Sequence, residues 1–356
     1  MDSAIVRPGP LLLCFVYTKR LPVNERTEVM PLLANQYSIF YIGFSKTAIE
    51  FRYSLTKRCG MATIHHGKRF RKTDDLEDKA MKMRIVADSS ANLLEMKDVE
   101  FASVPVHIIV GEQDYADTAE IDLAAYQQHL REYKGKTTTA APSPGEWEEA
   151  FGDADVIFCF TLTGAMSGTH NSAVIAGESY ESEHPGAKVY VLDSLSTGPE
   201  IYLLAEKTRE LILTGMEPEK IYEEIRAYHQ TTHLYFSLAS VDNFAKNGRV
   251  SHVIAKGIGL MGIRIVGTAS PEGTLDFKGK CRGDKKALAL ILEKMKELGY
   301  KGGRVVIAHN QNEAAALQLK MRIEELFGYF NGVIHPERAL CCYYAEPGSV
   351  MVGFEA

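Results

Sequence analysis

The sequence has few of the features that mark secreted, membrane or metal-binding proteins. Its 356 residues include six cysteines, none in a C-x-x-C motif or another paired spacing. This usage favours free, buried thiols in a reducing compartment, and we expect a cytoplasmic protein. The adjacent pairs His65-His66 and Cys341-Cys342 lack metal-ligand spacing, so neither a metal nor a cofactor is expected. The apolar run 11–17 is too short to cross a bilayer, which excludes a span there and leaves transient membrane contact open.

The common catalytic and nucleotide-binding motifs are also missing. There is no P-loop, and the match to G-x-G-x-x-G at residues 257–262 follows a predicted short helix and precedes a strand, the reverse of the dinucleotide-binding order. Ser167 is not in a G-x-S-x-G elbow, because Gly164 lies three residues upstream. No histidine or acid is placed by sequence to activate Ser167. A small-anion hydrolase or transferase acting through Ser167 is therefore our alternative interpretation, with a nucleotide-sensing module as a third.

Charge divides the chain unevenly. Residues 1–82 carry 14 Lys and Arg against 8 Asp and Glu, whereas residues 83–356 carry 26 against 38. The acidic part would repel the phosphates of nucleic acid, so no nucleic-acid partner is expected. Residues 1–82 lack clear start and stop signals and are predicted to be a leader outside the fold. A start codon assigned too far upstream explains this best, ahead of a disordered leader or a nucleic-acid arm.

Strands and helices alternate from residue 83 to about residue 230, which predicts an α/β domain with a mostly parallel sheet and helices on both faces. In residues 231–356, Pro271-Glu272-Gly273 is a hairpin signal that requires antiparallel pairing of the strands around it. We expect this second domain to be an α+β sandwich. The motif Ser143-Pro144-Gly145-Glu146 predicts a capping box at a helix start.

Serine and threonine accumulate where predicted strands end. The stretch 155–177 reads as a buried strand, a small polar turn and a helix with Ser167 or Thr169 as candidate N-cap. Carboxyl ends of parallel strands meet at one edge of a sheet, where hydroxyls and free N–H groups can bind an anion without a strong general base. The hydroxyl residues expected at this edge are Ser89, Ser90, Thr137, Thr138, Thr139, Thr163, Ser167, Thr169 and Ser194.

Several spaced motifs make residues 83–356 resemble the DegV family of bacterial fatty-acid-binding proteins. The family's D-S-S-A/T-D-L, T-S-Q-P-S-P-G-E and S-S-G-L-S-G-T-Y-Q-S-A segments correspond to DSSANL, TTAAPSPGEW and LTGAMSGTHNSA at residues 88–93, 138–147 and 162–173. Its D-S, G-G-R-I-S and R-T-x-K-K-A-L blocks correspond to VLDSLSTG, NGRVS and CRGDKKAL at residues 191–198, 247–251 and 281–288.

The resemblance implies that a long-chain fatty acid lies between domains 83–230 and 231–356 and is presented to a separate fatty acid kinase, this chain being the non-catalytic subunit. It implies carboxylate ligands at Thr139 and Ser167, helped by the backbone of Gly168 and Thr169, and a position near the carboxylate for Tyr344, where the family has histidine. Ser89 in the first motif is a further candidate. The other departures from the family pattern are Ala140, Ala141, Gly164 and residues 264–267.

Overall fold

The computed structural model describes residues 81–250 and 262–356, and before them the backbone of five strands. These strands pair antiparallel in two small sheets and are β1 (Ala4–Ile5), β2 (Phe15–Val16), β3 (Met30–Ala34), β4 (Ser38–Ser45) and β5 (Ala48–Ser54). Contacts between Cα atoms divide the chain into units 1–77 and 78–356. The domain boundaries expected at residues 82 and 230 stay predictions, and the rejected glycine motif lies outside the described residues except for Gly262.

Within the second unit, four parallel strands form the first sheet. They are β6 (Met83–Asp88), β7 (Glu100–Val104), β11 (Val156–Thr161) and β12 (Lys188–Asp193), in the order β12-β11-β6-β7. All six residues of β11 are buried, as its unbroken apolar sequence predicts for a central parallel strand. The carboxyl ends of β6, β11 and β12 lead into the polar turns that carry Ser89, Thr163 and Ser194.

Helices cover both faces of this sheet. On one face lie α2 (Pro144–Phe151) and α3 (Thr169–Glu183), whose Trp147 and Ala173 are fully buried. On the other lie α4 (Pro199–Leu213) and α5 (Pro218–His229). The predicted capping box at α2 is confirmed, because the Ser143 Oγ accepts from the Glu146 N–H while the Glu146 carboxylate accepts from the Ser143 N–H.

A small antiparallel sheet adjoins these layers and has the order β10-β8-β9. Its strands are β8 (His107–Val110), β9 (Gln113–Ala116) and β10 (Thr137–Ala140). Helix α1 (Leu123–Glu132) connects β9 to β10, and the Asp122 carboxylate caps it by accepting from two backbone N–H groups. Register pairing places Thr139 opposite Ile108, which fixes Thr139 at the edge of the site described below.

The second large sheet has six strands in the order β15-β14-β13-β18-β16-β17. All pairs are antiparallel except β16–β17. The strands are β13 (Thr232–Leu238), β14 (Ile263–Ala269), β15 (Leu275–Arg282), β16 (Val305–His309), β17 (Gly332–Pro336) and β18 (Val350–Glu355). Among residues 81–250 and 262–356, the remaining α-helices are α6 (Asp242–Lys246), α7 (Asp284–Glu297), α8 (Glu313–Phe327) and α9 (Ala339–Ala345).

Helix α4 lies between the two large sheets and contacts β6 and β11 on one side and β16 and β18 on the other. Helices α7 and α8 cover the outer face of the second sheet. The predicted fold class is therefore confirmed: a parallel sheet with helices on both faces, joined to a mostly antiparallel sheet with helices. No helix in the described part of the chain is long and apolar enough to cross a membrane.

The first unit is predicted to be dispensable for folding of the second. Sequence alone places the cut at Met83, but the Lys82 N–H donates to the Asp155 carboxylate at 2.8 Å and the Lys82 carbonyl accepts from the N–H groups of Asp155 and Val156. We expect a chain beginning at Asp78 to unfold at the full-length temperature. A chain beginning at Met83 should unfold several degrees lower, because each lost hydrogen bond is worth about 0.5–1.5 kcal/mol. Thermal unfolding of the three chains tests this; a marked loss of stability from the Asp78 cut would contradict it.

Candidate functional site

A deep cavity lies at the carboxyl edge of the parallel sheet and faces the second sheet. It contains about 990 Å³ of empty space, part of which opens to solvent. Apolar side chains form most of the wall: Val106, Leu162, Met166, Leu195, Leu234, Phe236, Leu238, Phe244, Leu275, Leu340 and Met351. The alternating residues of β13 enter this wall because side chains two apart on a strand share one face. A wall of this composition is typical of a site for an apolar ligand.

At one end of the cavity, two hydroxyl side chains meet. The Thr139 Oγ1 on β10 lies 2.8 Å from the Tyr344 Oη on α9, although 205 residues separate them in sequence. The Tyr344 ring packs against Phe244 with ring centroids 4.7 Å apart. Since one hydroxyl must donate to the other, the pair keeps one O–H free for a ligand.

A second hydroxyl pair lies at the start of α3. The Ser167 Oγ is 2.8 Å from the Thr169 Oγ1 and also accepts from the Thr169 N–H at 3.3 Å. The prediction that Ser167 or Thr169 is the N-cap is wrong: the N-cap is Gly168, which has no side chain to cap the helix. The uncapped positive end of α3 is therefore directed at the cavity beside Ser167 and Gly168, where it favours an anion.

Arg249 also lines the cavity and was not predicted to be a site residue. Its Nε donates to the Met166 carbonyl at 3.2 Å, and a second nitrogen donates to the Asn247 carbonyl. Among the described residues that line the cavity, Arg249 is the charged one. Arg249 lies in the N-G-R-V-S segment that carried the family resemblance, but no role was assigned to it from the sequence. The guanidinium can neutralise an anionic group at this end of the chamber.

Two aspartates hold the loops that form the cavity edge. Asp88, fully buried at the end of β6, accepts from the N–H groups of Ser90 at 2.9 Å and Leu162 at 2.5 Å. Burial raises the pKa of its carboxyl to about 6, against the lowering effect of these hydrogen bonds. The Asp193 carboxylate accepts from the Gly164 and Leu195 N–H groups. The glycine that departs from the family pattern thus has its amide occupied, and a Cβ there would lie 2.9 Å from an Asp193 oxygen.

The predicted ligand residues divide into two groups. Thr139, Ser167, Gly168 and Tyr344 line the cavity. Thr169 is fully buried and reaches the site through its hydrogen bond to Ser167. Ser89 is buried behind the wall, where its Oγ accepts from the Val106 N–H at 3.1 Å. The structure therefore gives Ser89 a supporting position rather than a ligand position.

Nucleophilic chemistry has little support in this geometry. Within residues 81–250 and 262–356, no histidine or carboxylate is hydrogen-bonded to Ser167, whose side-chain partner is Thr169. The nearby His170 instead has its Nδ1 3.2 Å from the Thr161 Oγ1. Cys341 also lines the cavity, but burial raises the pKa of its thiol well above the usual value, which leaves it protonated and unreactive.

Taken together, the apolar chamber and its polar end define a protein that binds an amphipathic ligand with an anionic head group. The two hydroxyl pairs offer one free donor each, which matches the two oxygens of a carboxylate. The uncapped helix end and Arg249 add positive potential at the same point. In the described part of the chain, no group of three or more His, Cys, Asp or Glu side chains is placed to hold a metal ion.

Comparison with known proteins gives the family. The sequence pattern of the DegV family matches residues 82–356. A DegV domain-containing protein of Streptococcus gordonii is 39% identical over 279 residues, which cover 77% of this chain and 99% of that protein. A similarly named protein of Streptococcus pneumoniae is 40% identical over the same length. The chain belongs to the DegV family.

Solved structures agree with this assignment. A DegV family protein from Eubacterium eligens, loaded with heptadecanoic acid, is 41% identical, with a TM-score of 0.76 over 77% of this chain and 99% of that one. The Streptococcus pneumoniae fatty acid kinase (Fak) B3 protein, loaded with linoleic acid, is 40% identical, with the same TM-score and coverage. The first of these relatives binds a saturated acyl chain and the second a polyunsaturated one.

Proposed function

We propose that this chain binds a long-chain fatty acid in the cavity and presents its carboxylate to a partner fatty acid kinase, without being a catalyst itself. The observation that carries the proposal is the apolar chamber lined by two hydroxyl pairs, one of which lies at a helix N-terminus. The fatty acids held by the related structures support the ligand class, and the name of the Fak B3 protein supports the kinase partner.

The carboxylate is assigned to the end formed by Thr139, Ser167, Gly168 and Tyr344. One carboxylate oxygen accepts from the free hydroxyl of the Thr139–Tyr344 pair and the other from that of the Ser167–Thr169 pair. Arg249 supplies a nearby positive charge. Burial of an acyl chain is worth about 0.8 kcal/mol per methylene, so about 14 methylenes contribute roughly 11 kcal/mol before entropic costs.

The proposal needs no cofactor and no metal, and it places the protein in the cytoplasm. The four cysteines of the described residues are free thiols, three of them buried, which supports a reducing compartment. Transient contact with a membrane surface during loading is part of the proposal, because the ligand is poorly soluble in water.

A displacement titration tests ligand class and head-group recognition together. A fluorescent fatty acid is bound to the purified chain and displaced by palmitate, oleate or the methyl ester of oleate. We expect both acids to displace the probe and the ester to be much weaker, because it presents no charged carboxylate to the polar end. Equal displacement by ester and acid would contradict the head-group assignment. Turnover of the ester would favour the alternative of a hydrolase acting through Ser167.

Because position 344 is a tyrosine, we expect a partner kinase to phosphorylate the bound fatty acid more slowly than it would with a histidine there. A phenol donates one hydrogen bond but carries no positive charge at neutral pH, unlike a titrating imidazole. We expect Tyr344→His to leave fatty-acid affinity within several-fold and to raise acyl-phosphate formation by a cognate kinase, since positive charge near the reacting oxygens supports that step. Wild-type binding should lack the pH dependence that a histidine gives.

Both properties are measured between about pH 5.5 and about pH 8, a range that brackets histidine titration. Tyr344→Phe is the matched control, because it keeps the ring against Phe244 and removes the hydroxyl that meets Thr139. If the wild type already supports acyl-phosphate formation as fast as the histidine variant, position 344 does not limit the transfer.

A further inference from the structure

One row of residues crosses the cavity face of the second sheet. Register pairing places Phe277, Gly267, Phe236, Met351 and Ala308 side by side on β15, β14, β13, β18 and β16. Directly opposed residues share one face of a sheet. Phe236 and Met351 line the cavity, whereas Gly267 does not. The row thus holds two large wall side chains and, next to Phe236, a position with no side chain.

The Phe236 ring occupies the space above Gly267. A Cβ built on Gly267 would lie 2.6 Å from both the Cε2 and Cζ atoms of Phe236, and 2.8 Å from the Asp276 carbonyl oxygen. The ring therefore leans along the sheet, over the glycine, instead of standing in the chamber. An added methyl group would therefore displace the ring, and the backbone of β15 at Asp276 would also have to shift by a few tenths of an ångström.

Met351 has the same relation to a second glycine. A Cβ built on Gly198, the residue before α4, would lie 2.9 Å from the Met351 Cε. Gly198 has φ +57° and ψ −122°, a conformation that side chains strongly disfavour. Phe236 and Met351, which are neighbours in the cavity wall, thus each pack against a glycine that does not line the cavity.

We propose that Gly267 and Gly198 determine the acyl-chain length that the chamber accepts, by giving Phe236 and Met351 room to withdraw from it. This specificity role rests on the proposed fatty-acid binding. Gly267 is the testable member of the pair, since its φ is not in the left-handed region. Adding a methyl group at Gly267 pushes the Phe236 ring into the space of the acyl tail. Long acyl chains then bury fewer methylenes, whereas short chains do not reach this part of the chamber and are unaffected.

The test compares a series of saturated fatty acids from about 12 to about 20 carbons, each titrated against wild type and Gly267→Ala. Each methylene excluded from the chamber should lower affinity about fourfold. We therefore expect the longest acids to lose roughly tenfold or more relative to the shortest, so that the preferred length falls. In the double variant Phe236→Leu/Gly267→Ala, the smaller side chain should restore binding of the longest acids.

Gly279→Ala is the matched control. Gly279 is on β15 in the same hairpin, and its added Cβ would meet the Leu290 Cδ2 at 2.9 Å. Leu290 belongs to α7 and packs with the core on the opposite face of the sheet. This substitution adds the same methyl group to the hairpin away from the cavity and should leave the chain-length profile unchanged.

The outcomes separate this proposal from the function on which it rests. If the wild type binds no fatty acid of any length, the proposed function fails. If the wild type binds and folded Gly267→Ala keeps the wild-type profile, the specificity role is overturned. If Gly267→Ala does not fold, the single variant Phe236→Leu provides the test. We expect its preferred acyl-chain length to be longer than that of the wild type. An unchanged chain-length profile overturns the proposal.

Discussion

Replacing Ser167 by alanine is expected to weaken fatty-acid binding roughly 10- to 100-fold, because a hydrogen bond to a charged group is worth about 1.5–3 kcal/mol. The Ser167 Oγ lies at the uncapped start of α3, within 2.8 Å of the Thr169 Oγ1. Removing Ser167 therefore breaks a coupled pair, and Thr169 is too deeply buried to take its place. Displacement of a fluorescent fatty acid by palmitate or oleate measures the loss.

Ser182→Ala provides the control for this experiment. Ser182 is exposed near the other end of α3, where its Oγ donates to the Ser179 carbonyl, so its loss should leave affinity unchanged. A Ser167→Ala variant that binds palmitate and oleate as tightly as the wild type would remove Ser167 from the head-group site.

The Glu337→Gln variant is expected to be more stable than the wild type at alkaline pH, by a few kcal/mol. Glu337 is buried after β17, where one carboxyl oxygen accepts from the Ser349 Oγ at 3.1 Å and the other has no protein partner. Burial raises the pKa of this carboxyl to about 8, and the Ser349 hydrogen bond opposes the shift only in part. The group is therefore neutral in the folded chain at neutral pH.

The sign of the effect follows from the raised pKa. The stability contributed by the buried neutral acid is complete below the unfolded pKa of 4.5 and is lost as pH rises toward about 8. Each pKa unit corresponds to about 1.4 kcal/mol. Glutamine carries no such penalty, so the free energies of unfolding of variant and wild type should diverge with rising pH.

Urea unfolding at about pH 5 and about pH 9 measures the divergence on both sides of the titration. Glu178→Gln, an exposed position on α3, is the control and should show a far smaller pH-dependent difference from the wild type. If the difference in free energy of unfolding between Glu337→Gln and wild type stays constant across this range, protonation of Glu337 is not linked to folding.

Local signals explain which parts of the fold were predictable. The strand 156–162 and the capping box of α2 depend on apolar runs and on side chains three residues apart, so the sequence contains what determines them. The small sheet was not predicted, because β10 is four residues of mostly threonine whose partners on β8 lie 27 to 33 residues away in the chain. Helix α9 and strand β17 were also missed, since both are short and owe their stability to tertiary packing.

In the site, too, local features could be predicted from the sequence, whereas contacts between distant residues could not. Individual hydroxyls at strand ends could be found from sequence, and family resemblance placed Tyr344 near the carboxylate. The hydrogen bond between Thr139 and Tyr344 joins β10 to α9 and has no local signal. Arg249 lies in a segment that carried the family resemblance, but nothing local in the sequence shows that it lines the same cavity as Ser167. Ser167 was misjudged as the N-cap because α3 begins one residue later than expected, with Gly168 in that position.

Native mass spectrometry of the purified full-length chain shows whether the protein holds a fatty acid. We expect a complex heavier than the polypeptide by the mass of one long-chain fatty acid, and release of that acid when the protein is denatured. Wild-type chain loaded with palmitate should keep one bound acid per polypeptide, and Ser167→Ala should keep less under the same conditions. A chain that carries no lipid as purified and takes up neither palmitate nor oleate would contradict the account.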